Sequence, residues 1–152
     1  MPDAPVCSLY ASGMSDYRRY STTALEVAAC GGSIACVKAL LDAGADPSIG
    51  DPLRNAVCFG WLDIVEVLID RGADVNLAKE NGQTYLHYAV FGGASKLSLE
   101  MIALLLRKGA RVDMRDHDGR TALDHAEACL GPYQSEAHLR QTEILRAAGA
   151  SG

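Results

Sequence analysis

Thr84-Tyr85-Leu86-His87-Tyr88-Ala89, closed downstream by Gly109-Ala110-Arg111-Val112-Asp113, is one of four variants of a single segment in this chain. Thr23-Ala24-Leu25-Glu26 and Gly44-Ala45-Asp46 bracket a first copy. Asp51-Pro52-Leu53-Arg54 and Gly72-Ala73-Asp74-Val75-Asn76 bracket a second. Thr121-Ala122-Leu123-Asp124 and Gly149-Ala150 bracket a fourth. A repeat of this length is one supersecondary unit that cannot bury its own apolar face, so neighbours must stack.

Each copy reads as helix–turn–helix. In the first, Thr23 is an N-cap and Glu26, three residues on, completes a capping box. Leu25, Ala28 and Ala29 share one face of a short helix that ends at Gly32. Ile34, Cys36, Val37, Leu40 and Leu41 form the apolar stripe of a second helix, and Gly44 with Asp46-Pro47 turns the chain. In the second copy Asp51 caps and Pro52 takes the first helical position, where its missing N–H costs nothing. Thr84 and Thr121 cap the third and fourth copies, and a last helix starts near Ser135. Ala28-Ala29, Ala56 and Ala89 recur at one helical position and let adjacent first helices approach closely. Strand signals are nearly absent. The sequence therefore predicts an all-α repeat domain over 22–152, with repeats at about 22–49, 50–78, 79–115 and 116–150. Residues 1–21 match no repeat and read as a leader, either flexible or capping the first repeat through Tyr10, Tyr17 and Tyr20.

Composition excludes several classes. The 152 residues are 49% hydrophobic and carry a formal charge of −5, ordinary for one soluble domain and unsuited to gripping a nucleic-acid backbone. No stretch approaches the ~20 apolar residues that span a bilayer, and no secretory signal is legible at the start. Five irregularly spaced cysteines, with no Cys-x-x-Cys pair, suggest free thiols and a cytoplasmic setting. They read mainly as small apolar packers.

Four stretches carry a resemblance: Ile64-Val65 through Gly72-Ala73-Asp74-Val75-Asn76; Asn81-Gly82-Gln83-Thr84-Tyr85-Leu86-His87-Tyr88-Ala89; Asp118-Gly119-Arg120-Thr121-Ala122-Leu123; and Leu40 to Asp46. They are similar to the ankyrin-repeat family, whose motif runs Thr-Pro-Leu-His, Ala-Ala, Gly-His, Ile-Val, Leu-Leu, Gly-Ala-Asp-Val-Asn. The likeness covers about residues 22–150. It implies a solenoid of helix–turn–helix units joined by short β-hairpins or turns. The caps at 23, 51, 84 and 121 are spaced by 28, 33 and 37 residues, against the family's usual ~33. The first hairpin should be truncated around Pro47 to Gly50, the third repeat lengthened near Ala94 to Leu97, and the fourth near Gly131 to His138. The motif histidine survives only as His87, with Glu26, Arg54 and Asp124 in the other copies.

The resemblance implies binding of a protein partner by the concave first-helix side and the hairpin tips. Carried over, that surface includes Cys58, Phe59 and Phe91 on helices, and Glu80, Asn81, Gln83, Arg115, His117 and Arg120 on tips. Phe59 and Phe91 are the only phenylalanines and share a repeat position. They either form one exposed apolar patch, the usual character of a binding hot spot, or pack beneath a loop. Trp61 reads as a packing residue. Asn76 resembles the hairpin asparagine hydroxylated in some animal ankyrin proteins, but reads first as a turn residue satisfying its own backbone. His87 is implied to fix the turn; an enzyme using it as a base is a remote alternative, since no nucleophile is paired with it. His117 and His125, and Cys30 and Cys36, lack metal-ligand spacing, so no metal or other cofactor is expected. The expected function is thus a monomeric, non-catalytic interaction module without nucleic-acid or membrane partners. Its alternative is a dedicated inhibitor, of the immunity-protein kind, that occludes an enzyme.

Overall fold

A computed structural model describes residues 23–91, 96–128 and 135–150. The leader lies outside them, as do Ala94, Cys129 and residues 131–134 of the fourth-repeat insertion. The described elements are eight helices and no strand. The chain divides into two compact units, Met1–Ala73 and Asp74–Gly152.

The first unit holds α1 (Ala24–Cys30), α2 (Ile34–Asp42), α3 (Pro52–Phe59) and α4 (Leu62–Asp70). First helices pack together, α1 on α3, and second helices likewise, α2 on α4. Leu25, Ala29, Val37, Leu53, Ala56, Ile64, Val65 and Leu68 form its buried core. Ala29 and Ala56 leave no accessible surface, as close approach of the first helices requires. The capping box at Thr23 and Glu26 is formed, and Asp51 accepts from Arg54 N–H with Pro52 in the first turn.

Glu26 occupies the motif position where the third repeat has His87. Its carboxylate takes the Thr23 N–H through Oε2 at 2.8 Å and the Asp51 N–H through Oε1 at 2.9 Å. A charge-assisted bond to the next repeat's cap thus replaces the missing imidazole. The shortened connection turns on Asp46, whose carboxylate accepts from the N–H and hydroxyl of Ser48 at 2.8 and 2.6 Å.

Two residues depart from their expected packing. Cys36 is exposed, because the buried stripe of α2 runs through Val37 and Leu41 and leaves position 36 off that face. Trp61 packs on one side only. Its indole N–H donates to Cys30 O at 3.3 Å and its ring lies against Gly32, yet 41% of the residue remains exposed. Gly32 has φ of 72°, and a Cβ there would meet the ring at 2.6 Å, so both backbone and neighbour demand glycine. The expectation of free thiols is also corrected. Cys36 and Cys58 are free, but Cys30 is disulfide-bonded. Spacing along the chain does not report which sulfurs meet in space.

The second unit holds α5 (Tyr85–Phe91), α6 (Lys96–Arg107), α7 (Ala122–Ala128) and α8 (Glu136–Ala150). Its pairing repeats that of the first: α5 packs on α7 and α6 on α8. Leu86, Ala89, Met101, Ile102, Leu105, Ala126 and Leu145 fill the core. Gln141 is also buried, and its side-chain amide donates to Ser98 Oγ, which donates to Ala89 O. Asn76 does more than serve its own turn. Its amide donates to Gly109 O at 3.0 Å and its carbonyl accepts the Arg111 N–H at 2.8 Å, tying the end of one repeat to the end of the next.

Candidate functional site

The two inter-repeat connections of the second unit fold as tight turns. Lys79 N–H donates to Gln83 O and Gly82 N–H to Lys79 O. Asp116 N–H donates to Arg120 O and Gly119 N–H to Asp116 O in the same pattern. His117 N–H then donates to Asn81 O at 3.0 Å and joins the tips. Gly82 permits this contact. Its φ is 77°, and a Cβ there would stand 2.8 Å from the His117 nitrogen.

This pairing brings six of the expected partner-binding residues to one region. Glu80, Asn81, Arg115, His117 and Arg120 are exposed, and Gln83 is half-buried. Part of their hydrogen-bonding capacity is spent internally. Asn81 accepts from Gln83 N–H and donates to Gln83 Oε1, while Arg115 donates to Gly119 O at 2.8 Å. In the first unit, Cys58 is exposed and Phe59 half-buried at the end of α3. Desolvation pushes the Cys58 thiol up, partly opposed by the Arg54 cation.

Phe91 stands at the end of α5 with 47% of its surface exposed. Its ring meets His125 edge-on, with centroids 4.9 Å apart at 63°. His125, on α7, is held by its Nε2 at 2.6 Å from Asp116 Oδ2. Asp116 in turn accepts the N–H groups of Asp118 and Arg120 on Oδ1 at 3.0 and 2.9 Å. These bonds, the His125 contact first among them, hold its carboxyl down to about 2. Phe91 therefore rests on a ring pinned from beneath.

His87 lies beside this pair, its ring 5.6 Å from His125. Thr84 N–H donates to Nδ1 at 3.1 Å, which fixes the proton on Nε2, and Nε2 donates to Arg120 O at 3.1 Å. The ring clamps the cap of α5 to the following turn, as the resemblance implies. Burial, reinforced by the nearby His125, lowers its pKa, with the Arg120 carbonyl acting against the shift. Thr84 is 2% exposed and His87 1%, which leaves no room for a substrate at this Thr–His contact. Among the described residues no buried side-chain nitrogen or oxygen lacks a partner.

One ligand atom each from His87, Asp116 and His125 falls within 4.8 Å of the others. Chain spacing concealed this trio, because the three residues come from three elements that only the stacking of repeats brings together.

Family models for ankyrin repeats match residues 53–136, as three copies, and residues 21–52, as one. The chain belongs to the ankyrin-repeat family. Members of this family are typically non-catalytic modules that bind proteins. No curated protein matches the chain. No helix among the described residues is long and apolar enough to cross a membrane.

Proposed function

We propose that this chain is a non-catalytic module that grips a folded protein partner with the joined tips and the exposed ends of its first helices. The observation that carries this reading is Phe91. A half-exposed aromatic on a fixed base loses little freedom on binding, and such rings dominate interface energetics. The exposed Glu80, Asn81, Arg115, His117 and Arg120 would supply the polar rim. A standard interface buries ~1,600 Å² in all, a reasonable upper figure for an array this short.

A sharper version is a dedicated inhibitor that covers the active site of a basic enzyme, which the charge of −5 favours. Capture from lysate of the native source, with wild type beside Phe91→Glu, tests the proposal. A stoichiometric partner lost from the folded variant supports it, and an enzyme as that partner supports the sharper version. A partner retained undiminished by Phe91→Glu refutes the role given to Phe91.

A further inference from the structure

We infer that His87, Asp116 and His125 form a binding site for one divalent transition-metal ion of the zinc class. The three ligand atoms already lie within 4.8 Å of one another. Two imidazoles and one carboxylate suit zinc, cobalt or nickel, whereas calcium and magnesium seek all-oxygen shells. A three-ligand set leaves one coordination position for water or a partner's side chain. The side chain of His125 is 12% exposed beside Phe91, the side from which the ion would enter.

The outer shell is in place for Asp116 and within reach for His87. Backbone N–H groups of Asp118 and Arg120 hold Asp116 Oδ1 and leave Oδ2 turned towards His125. Thr84 Oγ1 lies 3.0 Å from His87 Nδ1. Such partners orient ligands and tune their basicity.

Binding requires a defined rearrangement. His87 gives up its bond to Arg120 O and the bond it accepts from Thr84 N–H, and its ring proton moves from Nε2 to Nδ1, where Thr84 Oγ1 accepts it. Nε2 is then free for the metal. His125 Nε2 and Asp116 Oδ2, now 2.6 Å apart, must separate to roughly 3.3 Å, the spacing of two ligand atoms on a tetrahedral ion with bonds of ~2.0–2.1 Å. A proton on His125 Nε2 moves to a free Nδ1 or leaves to solvent. The metal therefore competes with the turn clamp, and its occupancy alters how the 116–120 turn is held beneath Phe91.

The test uses the full chain, stripped with EDTA and dialysed, then titrated with Co²⁺ by visible absorption and with Zn²⁺ by calorimetry. The expected result is one ion per chain. His125→Ala, checked by circular dichroism for folding, should weaken binding by at least ~10-fold, and His117→Ala should leave it unchanged. Zinc X-ray absorption on the wild type guards against a misfolded variant. It should show a nitrogen and oxygen shell at ~2.0–2.1 Å with imidazole scattering and no sulfur. Absence of binding, full retention in His125→Ala, or a sulfur shell at ~2.3 Å from Cys36 or Cys58 overturns the inference.

Discussion

Replacing His87 with alanine should unfold structure rather than remove a chemical step. The imidazole is 1% exposed and is bonded to Thr84 N–H at 3.1 Å and Arg120 O at 3.1 Å. Its loss leaves the buried Thr84 N–H without a partner, at ~1–3 kcal/mol, the part-buried Arg120 O at less, and a ring-sized cavity besides. A water entering the vacated space would recover part of this. A net loss of about 3 kcal/mol follows, or a fall of ~1–2 M in the urea midpoint at ordinary slopes for a chain of this size. The assay is urea unfolding followed by circular dichroism, with EDTA present. A second arm varies pH. Burial lowers the His87 pKa below 6.5, so the unfolded state takes up a proton first as pH falls. Wild-type stability from this group is complete above 6.5, declines as pH falls towards the folded pKa, and is flat below it. Alanine has no such dependence, so its deficit should shrink between pH 7.5 and pH 5. A midpoint shift under ~0.3 M at pH 7.5, or a deficit that grows with acid, would refute the reasoning.

Three further outcomes follow from single contacts. Asp116→Asn should flatten acid unfolding of the metal-free protein. The depressed carboxylate, at about 2, adds stability present above 3.8 and lost as pH falls towards 2, which an acid titration by circular dichroism reads. Gly32→Ala should cost ~1–2 kcal/mol through positive φ and collision with Trp61, and should shift the emission of the chain's one tryptophan. At neutral pH iodoacetamide should label Cys36 faster than Cys58, whose thiolate is disfavoured by desolvation, and should not label Cys30 until reductant is added. Peptide mapping by mass spectrometry distinguishes the three.

The repeat grammar was legible because it is local. Thr23 with Glu26, Asp51 with Pro52, and the glycine stops each act within a few residues, and the apolar stripes follow the helical period. The tips at 79–83 and 116–120 were readable from the family likeness, and the structure links them through His117 and Asn81. What could not be read depends on contacts between copies. Glu26 gave a capping signal, but its bond to Asp51 spans 25 residues. Cys36 falls outside the core because one step of 100° on a helix separates it from the buried Val37. The His87, Asp116 and His125 group was hidden for the same reason. In the sequence His87 reads as a turn residue and His125 stands too far from His117 for a ligand pair, and neither reading contains Asp116. Trp61 showed its apolar body in the sequence but not the half-open seat over Gly32.

The central claim, that a protein partner is bound through Phe91 and the joined tips, is tested most directly by hydrogen–deuterium exchange of the captured complex against the free chain. The account expects new protection concentrated over 79–91 and 115–128, with exchange unchanged at the α8 end. Protection confined to other segments, with those two stretches unchanged, would contradict it.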